Sequence, residues 1–180
     1  MSSTLLEKMR KVNKVLQTSG TQSVSFHDLS KILSEVLNAN VYILSRKGRI
    51  LGYSLGTSEE CEFLKNELLT EKKFPEEYNK SLLSYHETRS NMINKDKLCV
   101  IDNRERCDMG TNYTTIVPVN GSGERLGTMM LAKYNQEFTD EDLVLAEYGA
   151  TVVGLEILRS KHDEIEEEGI EEEVEIEEAI

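Results

Sequence analysis

Apolar residues recur every three or four positions at Leu5, Met9, Val12 and Leu16, with Lys8, Arg10, Lys11 and Lys14 mostly off that face. The spacing predicts an amphipathic helix over 3–16, ended by Ser19-Gly20. The same period returns at Phe26, Leu29, Ile32, Leu33, Val36 and Leu37. A second helix therefore starts at Ser25, with Asp28 three residues on as an acidic variant of the capping box, and stops over 38–40. The pattern then shortens. Residues 41–44 and 50–54 read as strands joined by the turn Arg46-Lys47-Gly48-Arg49. Helical spacing resumes over 58–71, where Thr57 and Glu60 are placed as a capping box and Cys61, Leu64 and Leu68 face inward. Pro75 fits the first turn of a short helix that continues through Leu82 and Leu83, because a proline lacks an N–H that this turn does not use. Residues 84–96 look polar and irregular, 98–101 form a short buried strand, and 102–112 form a polar loop.

The stretch over 113–159 is the most structured in pattern. Tyr113-Thr114-Thr115-Ile116-Val117 is rich in β-branched residues and predicts a strand. Asn120-Gly121-Ser122-Gly123 supplies residue types that tolerate positive φ in a tight reversal, and 128–132 returns as the partner strand. Thr139, followed by Asp140, Glu141 and Asp142, offers a hydroxyl cap and three acids to a helix N-terminus. Leu143, Ala146, Ala150, Val153 and Ile157 then keep helical spacing, and Gly149 and Gly154 inside it point to close packing, helix on helix. The element order is α-α-β-β-α-α-β-β-β-α, without a repeat of fixed period. A hairpin that feeds a long helix is the closing half of a small α+β sensory domain.

Charge changes this picture mainly at the end of the chain. The 180 residues carry a net charge of -12, much of it over 163–178. Such a balance argues against contact of this chain with nucleic acid, whose phosphates need clustered Lys and Arg. Like charges at i,i+4 oppose the helix that a Glu-rich tail otherwise favours, so 159–180 is expected to be an acidic helical linker or frayed tail behind a domain over 1–158. The N-terminal 17 residues are charged throughout and unlike a secretory signal, and no apolar run has membrane-spanning length. Cys61, Cys99 and Cys107 lack framework spacing and read as reduced thiols. A cytoplasmic location is the expectation, with no membrane contact.

Candidate chemistry is sparse. Gly121-Ser122-Gly123-Glu124-Arg125-Leu126-Gly127 has the glycines of a phosphate cradle but lacks the Lys-Ser/Thr pair and precedes a strand, so a hairpin turn is the better reading. Cys99, Cys107 and His86 want a fourth ligand for a metal site, and none is expected. No nucleophile elbow, zinc-protease motif or convincing acid pair is present, so no catalytic residue is expected. The three cysteines are the sole support for an enzyme reading, a free methionine sulfoxide reductase built on the same kind of domain. A ligand-free dimerisation module is the third reading.

Several strings, in order and spacing, carry a resemblance. They are Leu51-Gly52-Tyr53-Ser54, Phe74-Pro75-Glu76-Glu77-Tyr78, Thr114-Thr115-Ile116-Val117-Pro118, Gly123-Glu124-Arg125-Leu126-Gly127-Thr128 and Leu145-Ala146-Glu147-Tyr148-Gly149-Ala150-Thr151-Val152-Val153-Gly154. Over 5–168 the chain resembles the CodY family of bacterial global transcriptional regulators (repressors). The resemblance implies a GAF-like (PAS-like) antiparallel sheet flanked by helices, with a long C-terminal linker helix. It implies isoleucine or valine as effector, and no other cofactor; GTP responsiveness is implied by the resemblance alone. It also implies a homodimer, and a winged helix-turn-helix DNA-binding domain that these 180 residues do not include, so that this chain alone is not expected to bind DNA.

The implied pocket needs an apolar cup, an anchor for the carboxylate and an acceptor for the ammonium. Leu68, Phe74, Pro75, Tyr78, Cys99, Val100 and Ile101 are the candidates for the cup. Taken alone these residues read as plain core; the resemblance raises Phe74, Pro75 and Tyr78 to pocket candidates. In the family an Arg on the helix before Phe-Pro-Glu-Glu-Tyr holds the carboxylate, whereas here Leu64 or Lys65 stands at that position and 61–73 contains no Arg. Lys65, or backbone N–H groups around Val100 and Ile101, are the candidate replacements.

Overall fold

A computed structural model describes residues 4–18, 25–56, 72–93 and 112–171, with side chains to 161. Its elements run α1 (Leu5–Thr18), α2 (Phe26–Leu37), β1 (Asn40–Ser45), β2 (Ile50–Ser54) and α3 (Glu76–Leu83), then β3 (Arg89–Ile93), β4 (Asn112–Gly121), β5 (Glu124–Tyr134) and α4 (Asp140–Glu171). The strands form one antiparallel sheet in the order β2-β1-β5-β4-β3.

Period-two alternation divides the side chains between two cores. Val41 and Ile43 of β1, Val117 and Val119 of β4, and Met129 and Leu131 of β5 face α1, α2 and α4. The residues between them, Tyr42, Leu44, Ile116 and Met130, face the opposite way and meet Phe74 and Leu82. The first core is the larger, and it holds the long helix against the sheet.

The caps behave as the pattern predicts. The Ser25 hydroxyl accepts from Asp28 N–H at 3.0 Å. At α4 the Thr139 hydroxyl accepts from Asp142 N–H at 3.2 Å, and Asp142 Oδ2 accepts from Thr139 N–H at 2.9 Å. Pro75 stands at the N-cap of α3, one position earlier than its pattern suggests.

Three expectations are corrected, and that for the acidic segment is met as far as it is described. The reversal between β4 and β5 is made by Ser122 (φ 52) and Gly123 (φ 75), while Asn120 and Gly121 remain in the strand, beyond a bulge at Val119. Residues 89–93 are not irregular but an edge strand, whose few neighbours and broken register against β4 leave no alternating pattern to read. The acidic segment expected over 159–180 as a helical linker or frayed tail is helical as far as Glu171, and 172–180 lie outside the described residues. Once nucleated and packed upstream, a Glu-rich segment propagates at little cost. Gly149 does pack helix on helix, where an added Cβ would lie 2.8 Å from Leu33 Cδ2 of α2, but Gly154 packs on the sheet, 2.6 Å from the Asn120 carbonyl oxygen. The strand expected over 98–101 and the helix expected over 58–71 lie outside the described residues.

Candidate functional site

The apolar cluster on the sheet face away from the three long helices is the candidate effector site. Its floor is Tyr42 of β1, Ile116 of β4 and Met130 of β5, all essentially excluded from solvent. Phe74 is buried just before α3, and Tyr78 is half-buried one turn into it. The Phe74 and Tyr78 rings stack with centroids 5.9 Å apart, and Tyr42 tilts against Phe74 at the same separation. The Tyr78 hydroxyl donates to Met130 Sδ at 3.5 Å. Leu55, Tyr85 and Met92 pack on the margin. This lining suits a branched aliphatic group, and burial of such a side chain contributes roughly 1.5–3 kcal/mol.

The segment that carries Phe74 is fastened to the β1–β2 turn by its backbone. Phe74 N–H donates to Gly48 carbonyl oxygen at 2.9 Å, and Ile50 N–H donates to Lys72 carbonyl oxygen at 2.8 Å. Asn79 Nδ2 of α3 donates to the Arg46 carbonyl oxygen at 2.9 Å. The other end of α3 is held by Arg125. Its guanidinium donates to the carbonyl oxygens of Tyr85 (2.6 Å), Leu82 (3.2 Å) and Gly127 (2.6 Å), and to the Thr128 hydroxyl (2.9 Å). A cation at a helix C-terminus meets the unsatisfied carbonyls and the negative end of the dipole. Partial burial lowers the Arg125 pKa from its ordinary value, and the group stays charged.

Of the residues predicted from sequence, Phe74 and Tyr78 come together in this cluster. Pro75 is exposed and sets the start of α3. Leu64, Lys65, Leu68, Cys99, Val100 and Ile101 lie outside the described residues, as do Cys61 and Cys107. Tyr42, Ile116 and Met130 escape sequence reasoning because strand alternation says which residues share a face but not which face receives the ligand. Among the described residues no three His, Cys, Asp or Glu side chains gather to hold a metal.

A separate groove of about 530 Å³ runs between β4 and α4, lined by His86, Glu87, Thr88, Asn120, Glu147 and Thr151 among others. The Thr88 hydroxyl donates to Glu147 Oε1 across it at 2.9 Å. Val117, Pro118 and Ala150 complete its lining, so polar and charged side chains make up six of nine.

Comparison with known proteins agrees with this architecture. The model of the CodY GAF-like domain family matches residues 4–178. The chain is 56% identical over 166 residues to the global transcriptional regulator CodY of Clostridium kluyveri, with 92% of this chain and 64% of that protein covered. It is 54% identical to the Clostridium tetani protein of the same name over the same shares. The chain thus spans about two thirds, 64%, of the length of these relatives. Among solved structures, the cofactor-binding GAF domain of the nutrient sensor CodY from Clostridium difficile aligns with a TM-score of 0.62 and 46% identity, over 87% of this chain and 99% of that one. The GAF domain of A. aeolicus nlh2, at 18% identity and a TM-score of 0.55 over 87% of this chain and 99% of that one, shares the fold.

Proposed function

The chain belongs to the CodY GAF-like domain family, and from that premise we propose that it is the effector-sensing domain of a global transcriptional regulator and binds isoleucine or valine. This is a family of transcription regulators, not of enzymes, so the reductase reading is set aside. The observation that carries the proposal is the aromatic and aliphatic cluster of Tyr42, Phe74, Tyr78, Ile116 and Met130, on the face of the sheet that the long helices leave free. One methylene is worth only about 1–3 kcal/mol in such a site, so isoleucine and valine both bind. Lys65, or backbone N–H groups at Val100 and Ile101, take the carboxylate. A point charge replaces a guanidinium fork imperfectly.

Occupancy is relayed through α4 to a DNA-binding domain. The sensing domain itself does not bind DNA, consistent with its net charge of -12. Regulators of this kind work in the cytoplasm, and no helix among the described residues is long and apolar enough to cross a membrane. GTP is the second effector to test. Arg46, Lys47, Arg49, Lys72 and Lys73 are exposed on two paired segments, and such a group of cations suits a triphosphate.

Calorimetric titration with isoleucine, valine, isoleucine carboxamide and GTP tests the reading. Isoleucine and valine bind, and the carboxamide binds roughly ten- to a hundredfold more weakly, the worth of one charge-assisted hydrogen bond. Lys65→Ala binds isoleucine more weakly if Lys65 is the anchor and like wild type if the backbone is. Absence of isoleucine and valine binding at millimolar concentration defeats the proposal.

A further inference from the structure

The edge strand β3 touches both cores within two consecutive residues. Met92 packs in the effector-side cluster with Tyr42, Ile116 and Met130. Its neighbour Asn91 reaches the segment that leads into α4, where its amide brackets the backbone of Phe138. Asn91 Oδ1 accepts from Phe138 N–H at 2.7 Å, and Asn91 Nδ2 donates to the Phe138 carbonyl oxygen at 3.0 Å. A side-chain amide here replaces one residue of a strand ladder.

The local backbone is shaped for this contact. Asn91 has φ 54, a left-handed conformation that Asn tolerates better than most residues, and the β3–β4 register breaks between Arg89 and Met92. Its own N–H donates to the Thr115 hydroxyl at 3.3 Å. Phe138 in turn is buried in the helix-side core, lies 5.0 Å beneath Lys133 Nζ, and directly precedes the Thr139–Asp142 cap of α4. Met92, Asn91, Phe138 and the first turn of α4 therefore form one continuous chain of contacts from the effector cluster to the long helix.

We propose that Asn91 is the positioning residue through which effector occupancy at the Met92 side of the sheet is transmitted to the start of α4. Displacement of Met92 by a bound side chain rotates the bulge. The paired hydrogen bonds to Phe138 are short and opposed, so they carry that rotation to the helix cap instead of absorbing it. A ligand acts here by its differential affinity for two positions of the bulge. The inference rests on the effector reading above.

Hydrogen exchange read by mass spectrometry, with and without saturating isoleucine, tests it on the whole chain. In wild type, isoleucine slows exchange both in β4–β5 and over 138–146. Asn91→Gly keeps the backbone conformation and removes the clamp; isoleucine then still slows exchange in β4–β5, but the response over 138–146 is lost. Asn91→Asp keeps the acceptor for Phe138 N–H and replaces the donor with a second oxygen that faces the Phe138 carbonyl oxygen, and it shows a reduced response. A helix response of wild-type size in either folded variant overturns the relay, even if exchange without ligand is faster. If isoleucine changes nothing in wild type and calorimetry detects no binding, the effector reading falls and the relay with it. If it binds and protects β4–β5 while leaving 138–146 unchanged in wild type, the relay alone is overturned.

Discussion

Lys133 Nζ lies 3.0 Å from Asp142 Oδ2, with both side chains almost wholly withdrawn from solvent, where the end of β5 meets the start of α4. The carboxylate also accepts from the Thr139 N–H, so a single side chain caps the helix and neutralises the buried lysine. Breaking a buried pair leaves an uncompensated charge, a loss of about 3–5 kcal/mol. Asp142→Ala should be destabilised by that amount, because the cap is lost as well. Lys133→Met, which keeps the cap, should lose less. Urea unfolding at neutral pH checks both; equal, sub-kilocalorie losses contradict the account.

The two glycines of α4 should respond differently to alanine. At Gly149 the added Cβ meets the end of the Leu33 side chain, which can move, whereas at Gly154 it meets the Asn120 carbonyl oxygen, which cannot. Alanine gains about 1 kcal/mol in helix propensity at either site. Gly149→Ala should therefore be close to neutral, and Gly154→Ala destabilised by roughly 1–3 kcal/mol from overpacking. Thermal unfolding of the two variants should show this order.

Arg125 fastens the C-terminal end of α3 to β5 through a planar fork that lysine cannot reproduce. Arg125→Lys should lose about 2 kcal/mol of stability, the scale of one charge-assisted hydrogen bond. Because α3 carries Tyr78, isoleucine affinity should fall as well. Calorimetry that gave wild-type affinity would separate α3 anchoring from effector binding.

Under the proposed function, Tyr78 should contribute its ring more than its hydroxyl. Tyr78→Phe keeps the ring and removes the contact to Met130 Sδ, and should bind isoleucine within about twofold of wild type. Tyr78→Ala removes the stack on Phe74 and one wall of the cluster, and should weaken binding at least about tenfold, or 1.4 kcal/mol.

Val144 and Leu155 lie on one exposed stripe of α4, at 51% and 62% exposure, and Leu6 of α1 is 57% exposed. Gly149 and Gly154 of the same helix both pack inside the domain. If the domain dimerises through this stripe, Leu155→Glu should shift the species to a monomer in light scattering. A wild-type protein that is monomeric at high micromolar concentration counts against dimerisation altogether.

The helices and the hairpin were legible because local rules write them. Ser25 with Asp28 and Thr139 with Asp142 cap as their spacing demands, and Leu29, Leu33, Val36 and Leu37 are buried as their period demands. Phe74 and Tyr78 became pocket candidates through the family strings and not through periodicity, which cannot separate a pocket wall from a core; the structure places them in one apolar cluster. The edge strand over 89–93 was not legible. Its position depends on one neighbour strand and on two hydrogen bonds exchanged between Asn91 and Phe138, 47 residues away.

What the chain determined by itself was local: period, caps, turn residue types and the alternation that gives each strand two faces. What only the tertiary structure decided was pairing at a distance. It selected which face of the sheet the long helices cover and which face carries the cluster of Tyr42, Phe74, Ile116 and Met130. It turned Arg125 from a strand residue into the anchor of α3, and made Lys133 a buried partner of Asp142. The reason is physical. Short-range preferences are set by backbone sterics and by neighbours within one helical turn or one strand pair, whereas burial and charge pairing depend on which distant segments share the same space.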